Sequence, residues 1–173
     1  NGAYQIKAQL DPKAWLPPAK ETALVDHVVK ACDALDGLAD GVISNYMACY
    51  RRHAASVTKQ PFASLRCASG AYSGNSCFSD SQIATLEKIF RPMVFGFPMR
   101  NGEVDWPGNP IGGKGSGSGS MGRYFLRQAP DPANPAGGQP VGMMYGLILG
   151  DPNGFDYYNK SHAELQKQIQ AVS

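Results

Sequence analysis

Three carboxylates, Asp33, Asp36 and Asp40, fall within eight positions of the stretch Asp33-Ala-Leu-Asp36-Gly37-Leu38-Ala-Asp40-Gly41-Val42-Ile43. Negative groups this crowded resist ionising together unless a cation neutralises them. Calcium answers that need, because it takes about 6–8 oxygen ligands and accepts carboxylates and backbone carbonyls alike. Gly37 and Gly41 allow the sharp turns that aim carbonyls inward. The ligand set read from the residues is the side chains of Asp33, Asp36 and Asp40 with the carbonyls of Leu38 and Val42. The side chains of Leu38 and Val42 are expected to point into the core. Carboxylates at loop positions 1, 4 and 8 do not make an EF-hand, which needs them at positions 1, 3 and 5 with a Glu at 12. Magnesium fits less well, since a cage built wholly from protein suits the larger ion. The competing reading is an Asp-Gly turn without an ion, its aspartates serving as caps and turn formers.

Cysteines at 32, 49, 67 and 77 give an even count at short spacings in a loop-rich chain, which points to disulfides and an oxidising compartment. Sequential pairing would close short loops, each worth ~3 kcal/mol in the loop-entropy model. The alternative is a zinc site. Against it, the chain has no Cys-x-x-Cys pair, and His27, His53 and His162 show no ligand spacing to the cysteines.

The elements that must hold these groups are mostly helical. Leu24, Val25, Val28, Val29, Cys32 and Leu35 recur on one side of a helix expected over residues 21–35, which also carries His27 as a surface or edge residue. Residues 1–20 read as an extended arm ending in Pro17-Pro18. Ser79 and Gln82 form a capping box for a second helix that buries Ile83, Leu86, Ile89 and Phe90 and stops at Pro92. Asn101-Gly102, between Met93–Met99 and Glu103–Trp106, is a strong hairpin signal. Ser161 and Glu164 cap a last helix with Leu165, Ile169 and Val172 facing inward. With Pro- and Gly-rich connections such as 130–140 between them, the fold class is an α-rich α+β single domain over 1–173, with a small β-hairpin and much irregular chain.

Composition narrows the function classes. The 16 basic and 14 acidic residues leave a charge of +2 with no Lys/Arg cluster, which disfavours nucleic-acid binding. The longest apolar runs, such as Met143–Leu149, fall far short of the 18 or so residues of a membrane span. No signal peptide is recognisable, and a start at Asn1-Gly2 rather than Met is expected of a mature product or an excised piece. The strict alternation over 115–120, directly before Met121, reads as a man-made flexible linker replacing a native loop.

The run Cys32-Asp33-x-x-Asp36-Gly37-x-x-Asp40-Gly41-Val42-Ile43 closed by Cys49 resembles the lid-domain signature of the tannase and feruloyl esterase family. Leu65-x-Cys67, Cys77-Phe78-Ser79-x-x-Gln82, and the tail from Asp151-Pro-Asn-Gly-Phe155-Asp156 to Val172-Ser173 are similar to that family as well. The likeness is poor over 112–128, and Tyr46 stands where many relatives have Pro. The resemblance implies a lid inserted in an α/β-hydrolase with a Ser-His-Asp triad, secreted or periplasmic. It implies a structural calcium on Asp33, Asp36, Leu38, Asp40 and Val42, and the disulfides Cys32–Cys49 and Cys67–Cys77.

The partner so implied is the α/β-hydrolase catalytic domain, and the substrate an aromatic ester or half-ester. Arg123 is the expected clamp for a free substrate carboxylate, with Arg127 second, Phe125 beside it and Trp106 lining the cleft. The blander roles are a solvated arginine beside core aromatics and a hairpin-packing tryptophan. No Gly-x-Ser-x-Gly elbow occurs in the chain, so it is not expected to hydrolyse esters in isolation. The alternative function is a free-standing extracellular calcium-binding interaction module. Such modules usually repeat the acidic loop, which occurs once here.

Overall fold

The computed structural model describes residues 8–9, 11–53, 60–94, 96–99 and 101–106, with Ala129, Ser161, Ala163, Glu164 and Lys167 besides. Helices dominate these residues. Helix α1 (Glu21–Cys32) follows a 3-10 turn at Pro18–Lys20 and buries Leu24, Val25, Val28 and Cys32. It does not run on as α-helix to residue 35. Its end tightens into a 3-10 turn, Asp33–Asp36, which Gly37 closes at φ 95° with its N–H on the Ala34 carbonyl. Val29 and Leu35 pack at the edge of the core rather than inside it.

Helix α2 (Tyr46–His53) has no counterpart in the sequence reading. Asn45 starts it: its side-chain oxygen accepts the Ala48 N–H at 3.2 Å, and its carbonyl accepts the Cys49 N–H at 3.1 Å. Helix α3 (Asp80–Phe90) begins at the expected capping box, with the Gln82 N–H on Ser79 Oγ at 3.4 Å and the Ser79 N–H on Gln82 Oε1 at 3.1 Å. Ile83, Leu86, Ile89 and Phe90 are buried as the periodicity requires.

Among the described residues the strand content is slight. Strand β1 (Met93–Val94) pairs antiparallel with β2 (Asp105–Trp106), in register Met93 with Trp106 and Val94 with Asp105. Between them the Gly102 N–H reaches the Met99 carbonyl at 2.8 Å and the Met99 N–H the Glu103 carbonyl at 2.7 Å. The longer arms expected over Met93–Met99 and Glu103–Trp106 shrink to two paired residues each. Gly96, at φ 77°, and Pro98 interrupt the first arm, and neither suits a strand interior. At the far end, Ser161 Oγ accepts the Glu164 N–H at 3.3 Å while Glu164 Oε2 accepts the Ser161 N–H at 2.7 Å. Leu165, Ile169 and Val172 lie outside the described residues.

The core gathers Leu16, Phe62, Phe78, the inner faces of α1 and α3, and the Cys32–Cys49 sulfurs. The described part of the N-terminal segment is not an extended arm. Asp11 turns the chain, its carbonyl accepting the Ala14 N–H at 2.8 Å and its side chain the Lys13 N–H at 2.9 Å, and Leu16 enters the core. Its backbone is paired by buried polar side chains: the Leu16 N–H on Gln9 Oε1 at 3.1 Å, and the Trp15 carbonyl on Gln82 Nε2 at 2.8 Å. Lys20 is fully buried, donating to the Cys77 carbonyl and, at 2.8 Å, to Gln82 Oε1. Its ammonium lies 4.3 Å from the Tyr72 ring centroid, and burial pulls its pKa below the usual lysine value.

Phe62 is fully buried and its ring lies 5.5 Å from that of Phe90. Phe62→Ala is expected to cost about 3–5 kcal/mol, against about 0.5 or less for the exposed Val94→Ala, both read from urea unfolding. A second test concerns the exposed pair Arg66–Asp80, which anchors the loop before α3 to its first turn. The Arg66 hydrogen bond, then its charge, holds the Asp80 carboxyl below its ordinary 3.8. A carboxyl lowered on folding stabilises above its unfolded value and loses that contribution as pH falls through the folded one. The melting-temperature gap between the native chain and Arg66→Gln should therefore be full above pH 3.8 and close below it.

Candidate functional site

The acidic loop leaves the end of α1 and is closed by the disulfide from Cys32 to Cys49 in α2. Within it the carboxylates organise backbone N–H groups. Asp36 Oδ1 accepts from Leu38 at 3.0 Å and Oδ2 from Ser44 at 3.1 Å, Asp40 Oδ1 accepts from Val42 at 2.9 Å, and Asp33 Oδ1 reaches across the loop to Gly41 at 2.8 Å. Donation from the Leu38 N–H, then from Ser44, pulls the exposed Asp36 carboxyl below its ordinary pKa. Asn45 Nδ2 ties the loop's exit to the Leu35 carbonyl at 3.2 Å.

This geometry corrects one expectation. Leu38 and Val42 do not enter the core: they are 63% and 56% exposed. Their N–H groups are held by the Asp36 and Asp40 side chains two residues back, turns that form on an exposed loop and leave both side chains in solvent. For calcium, the donors fit in kind, since carboxylates and loop carbonyls are all oxygens. In arrangement they fit less closely. Among the described residues, the group of three potential ligand side chains gathered within 4.8 Å of one another is not the aspartates but Cys32, Cys49 and His53.

The expectation that His53 has no ligand spacing to the cysteines is corrected, since its ring nitrogen lies beside both sulfurs. Cys49 and His53 are four apart, neighbours on one face of a helix, but that spacing carries meaning only once α2 is recognised. His53 Nδ1 lies 3.5 Å from Cys32 Sγ, 3.9 Å from Cys49 Sγ and 3.3 Å from the Cys49 carbonyl. His27, on α1, meets the His53 ring edge-on at 5.5 Å and places Nε2 3.1 Å from the Pro61 carbonyl. In this state the sulfurs are bonded to each other and offer no thiolate. The second disulfide, Cys67–Cys77, closes the loop whose Tyr72 and Cys77 carbonyl receive Lys20.

Of the residues expected to meet substrate, Trp106 contributes its backbone to β2, while Arg123, Phe125 and Arg127 lie outside the described residues, as does the 115–120 tract. Among the described residues, no helix is long and apolar enough to cross a membrane.

Comparison with known proteins places the chain. It is 31% identical over 112 residues to an uncharacterised esterase of Agrobacterium fabrum, covering 62% of this chain and 19% of that protein. It is 27% identical over 90 residues to a protein of Aspergillus clavatus named "Probable feruloyl esterase B", covering 52% of this chain and 15% of the relative. A Neosartorya fischeri protein named "Probable feruloyl esterase B-2" is 26% identical over 89 residues, covering 51% and 15%. The chain thus spans less than a fifth of the length of these relatives. No solved structure matches it. The family model described as "Tannase and feruloyl esterase" matches residues 1–134, so the chain belongs to the tannase and feruloyl esterase family of carboxylic ester hydrolases.

Proposed function

We propose that this chain is the lid region of a secreted or periplasmic carboxylic ester hydrolase of the tannase type, similar to mono(2-hydroxyethyl) terephthalate hydrolase (MHETase). In this reading it binds calcium in the acidic loop, covers an aromatic ester on a separate α/β-hydrolase domain, and lacks esterase activity by itself. The observation that carries the proposal is the family match over 1–134 in a sequence without a nucleophile elbow. The relatives extend far beyond the matched region, which leaves length for a catalytic domain elsewhere. Leu38, Val42, Tyr46 and Met47 stand exposed along one short stretch, as suits a surface that another domain covers. A free-standing calcium module would share the acidic loop but has no comparable support from the family match.

Calcium enters through the kind of donors the loop offers. Asp33, Asp36 and Asp40 with the carbonyls of Leu38 and Val42 would hold the ion, which would neutralise the loop and draw the carboxylates together. Arg123, with Phe125 and Trp106, is assigned to the free carboxylate and ring of a half-ester, a contact suited to the planar guanidinium fork. The 115–120 tract is read as an engineered replacement for a native loop.

Two measurements test this. The chain should melt higher in calcium than in chelator, gaining ~2.7 kcal/mol at 100 times the dissociation constant. Asp33→Asn with Asp36→Asn and Asp40→Asn should remove that gain; an unchanged melt in excess chelator would refute the calcium assignment. In a full-length parent, Arg123→Ala should raise KM for half-ester acids ~10-fold or more, the loss of one charge-assisted contact, and leave neutral diesters nearly unchanged. Equal losses on both would refute the carboxylate clamp.

A further inference from the structure

We propose that reduction of the Cys32–Cys49 disulfide turns its two sulfurs and His53 into a three-ligand site for a soft or borderline divalent cation, with zinc the best match. The three ligand atoms already lie within 4.8 Å of one another. With Zn–S near 2.3 Å and Zn–N near 2.0–2.1 Å, a tetrahedral site needs S···N edges of about 3.6 Å. His53 Nδ1 stands 3.5 Å from Cys32 Sγ and 3.9 Å from Cys49 Sγ. The imidazole is therefore in place before any metal arrives, and only the sulfurs must part.

The backbone favours the arrangement. Cys49 and His53 are one helical turn apart on α2, and Cys32 ends α1 with its Cα 5.3 Å from that of Cys49. All three side chains are buried, at 1%, 0% and 2% exposure for Cys32, Cys49 and His53. Entry thus requires local opening, and a bound ion would be shielded from bulk solvent. Ligation uses the Nδ1 lone pair, so the imidazole proton sits on Nε2 and the contact with the Cys49 carbonyl is given up. The fourth position falls to water or an added ligand.

The redox step balances with a dithiol as reductant. Its two electrons and two protons pass to the sulfurs, the S–S bond breaks, and the reductant leaves as its own disulfide. Metal uptake then expels the two thiol protons as the thiolates bind. A phosphine serves equally, with water supplying the protons and the oxygen of the phosphine oxide. The metal would replace the disulfide as the cross-link closing the acidic loop. These sulfur and nitrogen donors are independent of the oxygen donors assigned to calcium, so either site can fail without the other.

The test uses the full chain carrying Cys67→Ser and Cys77→Ser, reduced with a phosphine without oxygen and titrated with cobalt(II). One equivalent should bind with thiolate-to-cobalt charge transfer and tetrahedral d–d bands, and zinc should displace it; the oxidised chain should show neither band. His53→Ala and His53→Gln should each weaken cobalt binding by at least the ~10-fold that even outer-shell partners of a metal site contribute. Circular dichroism of the oxidised variants identifies any that fails to fold, and the other then decides. No charge-transfer band in the reduced chain, or unchanged cobalt affinity and spectrum in the folded His53 variant, would overturn the proposal.

Discussion

The covalent tie between Cys32 and Cys49 is the constraint on which this structure turns. It joins the end of α1 to the middle of α2 and closes the segment that holds three aspartates between them. Exposed carboxylates repel only weakly across water and salt, but a glycine-rich loop has little else to keep it from fraying. The cross-link removes much of the conformational freedom that the loop would gain by opening. Within that limit each aspartate finds a backbone N–H to receive, and the loop acquires a defined shape with Ile43 packed against the core near its exit.

The remainder of the core follows a second rule, that irregular backbone entering the interior must bring its own partners. The N-terminal segment is the case in point. It delivers Leu16 to the core and satisfies its backbone through Gln9 and Gln82, side chains that sheet or helix would have made unnecessary. Lys20 extends the same network to the second disulfide loop. Gln82 serves three masters at once: the cap of α3, the Trp15 carbonyl and the Lys20 ammonium. Such a shared node couples elements that are far apart in sequence, because an apolar replacement would strand several polar groups together.

This division explains how much was legible. Helices α1 and α3 could be read from their apolar periodicity, and the α3 start from Ser79 and Gln82, because these are local signals that burial later enforces. The cysteine pairing was legible from the family likeness. Helix α2 was not, because its exposed Tyr46, Met47 and neighbouring arginines leave only Cys49 and His53 buried, too few to show a period. Phe62 and Phe78 reach the core from irregular chain, where no period exists to announce them. Leu38 and Val42 stay exposed despite their hydrophobicity because Asx turns at Asp36 and Asp40 fix the backbone and leave the side chains wherever it points them. Of the three ligand atoms gathered at the disulfide, the two sulfurs stand out in the sequence and the His53 imidazole does not.

Two donor sets of opposite character therefore stand at the segment that the disulfide closes. One is hard, exposed and anionic: the aspartates that follow α1. The other is soft and buried: the sulfurs of Cys32 and Cys49 and the His53 imidazole. Disulfide formation silences the soft set by consuming both thiolates, and it simultaneously holds the ends of the hard set in place. An oxidising surrounding thus leaves the loop's carboxylates on offer while it keeps both sulfurs from a metal. The cross-link and the loop it closes are thus linked through geometry rather than through shared ligands, since the disulfide holds the ends of a segment whose carboxylates are the same in either oxidation state.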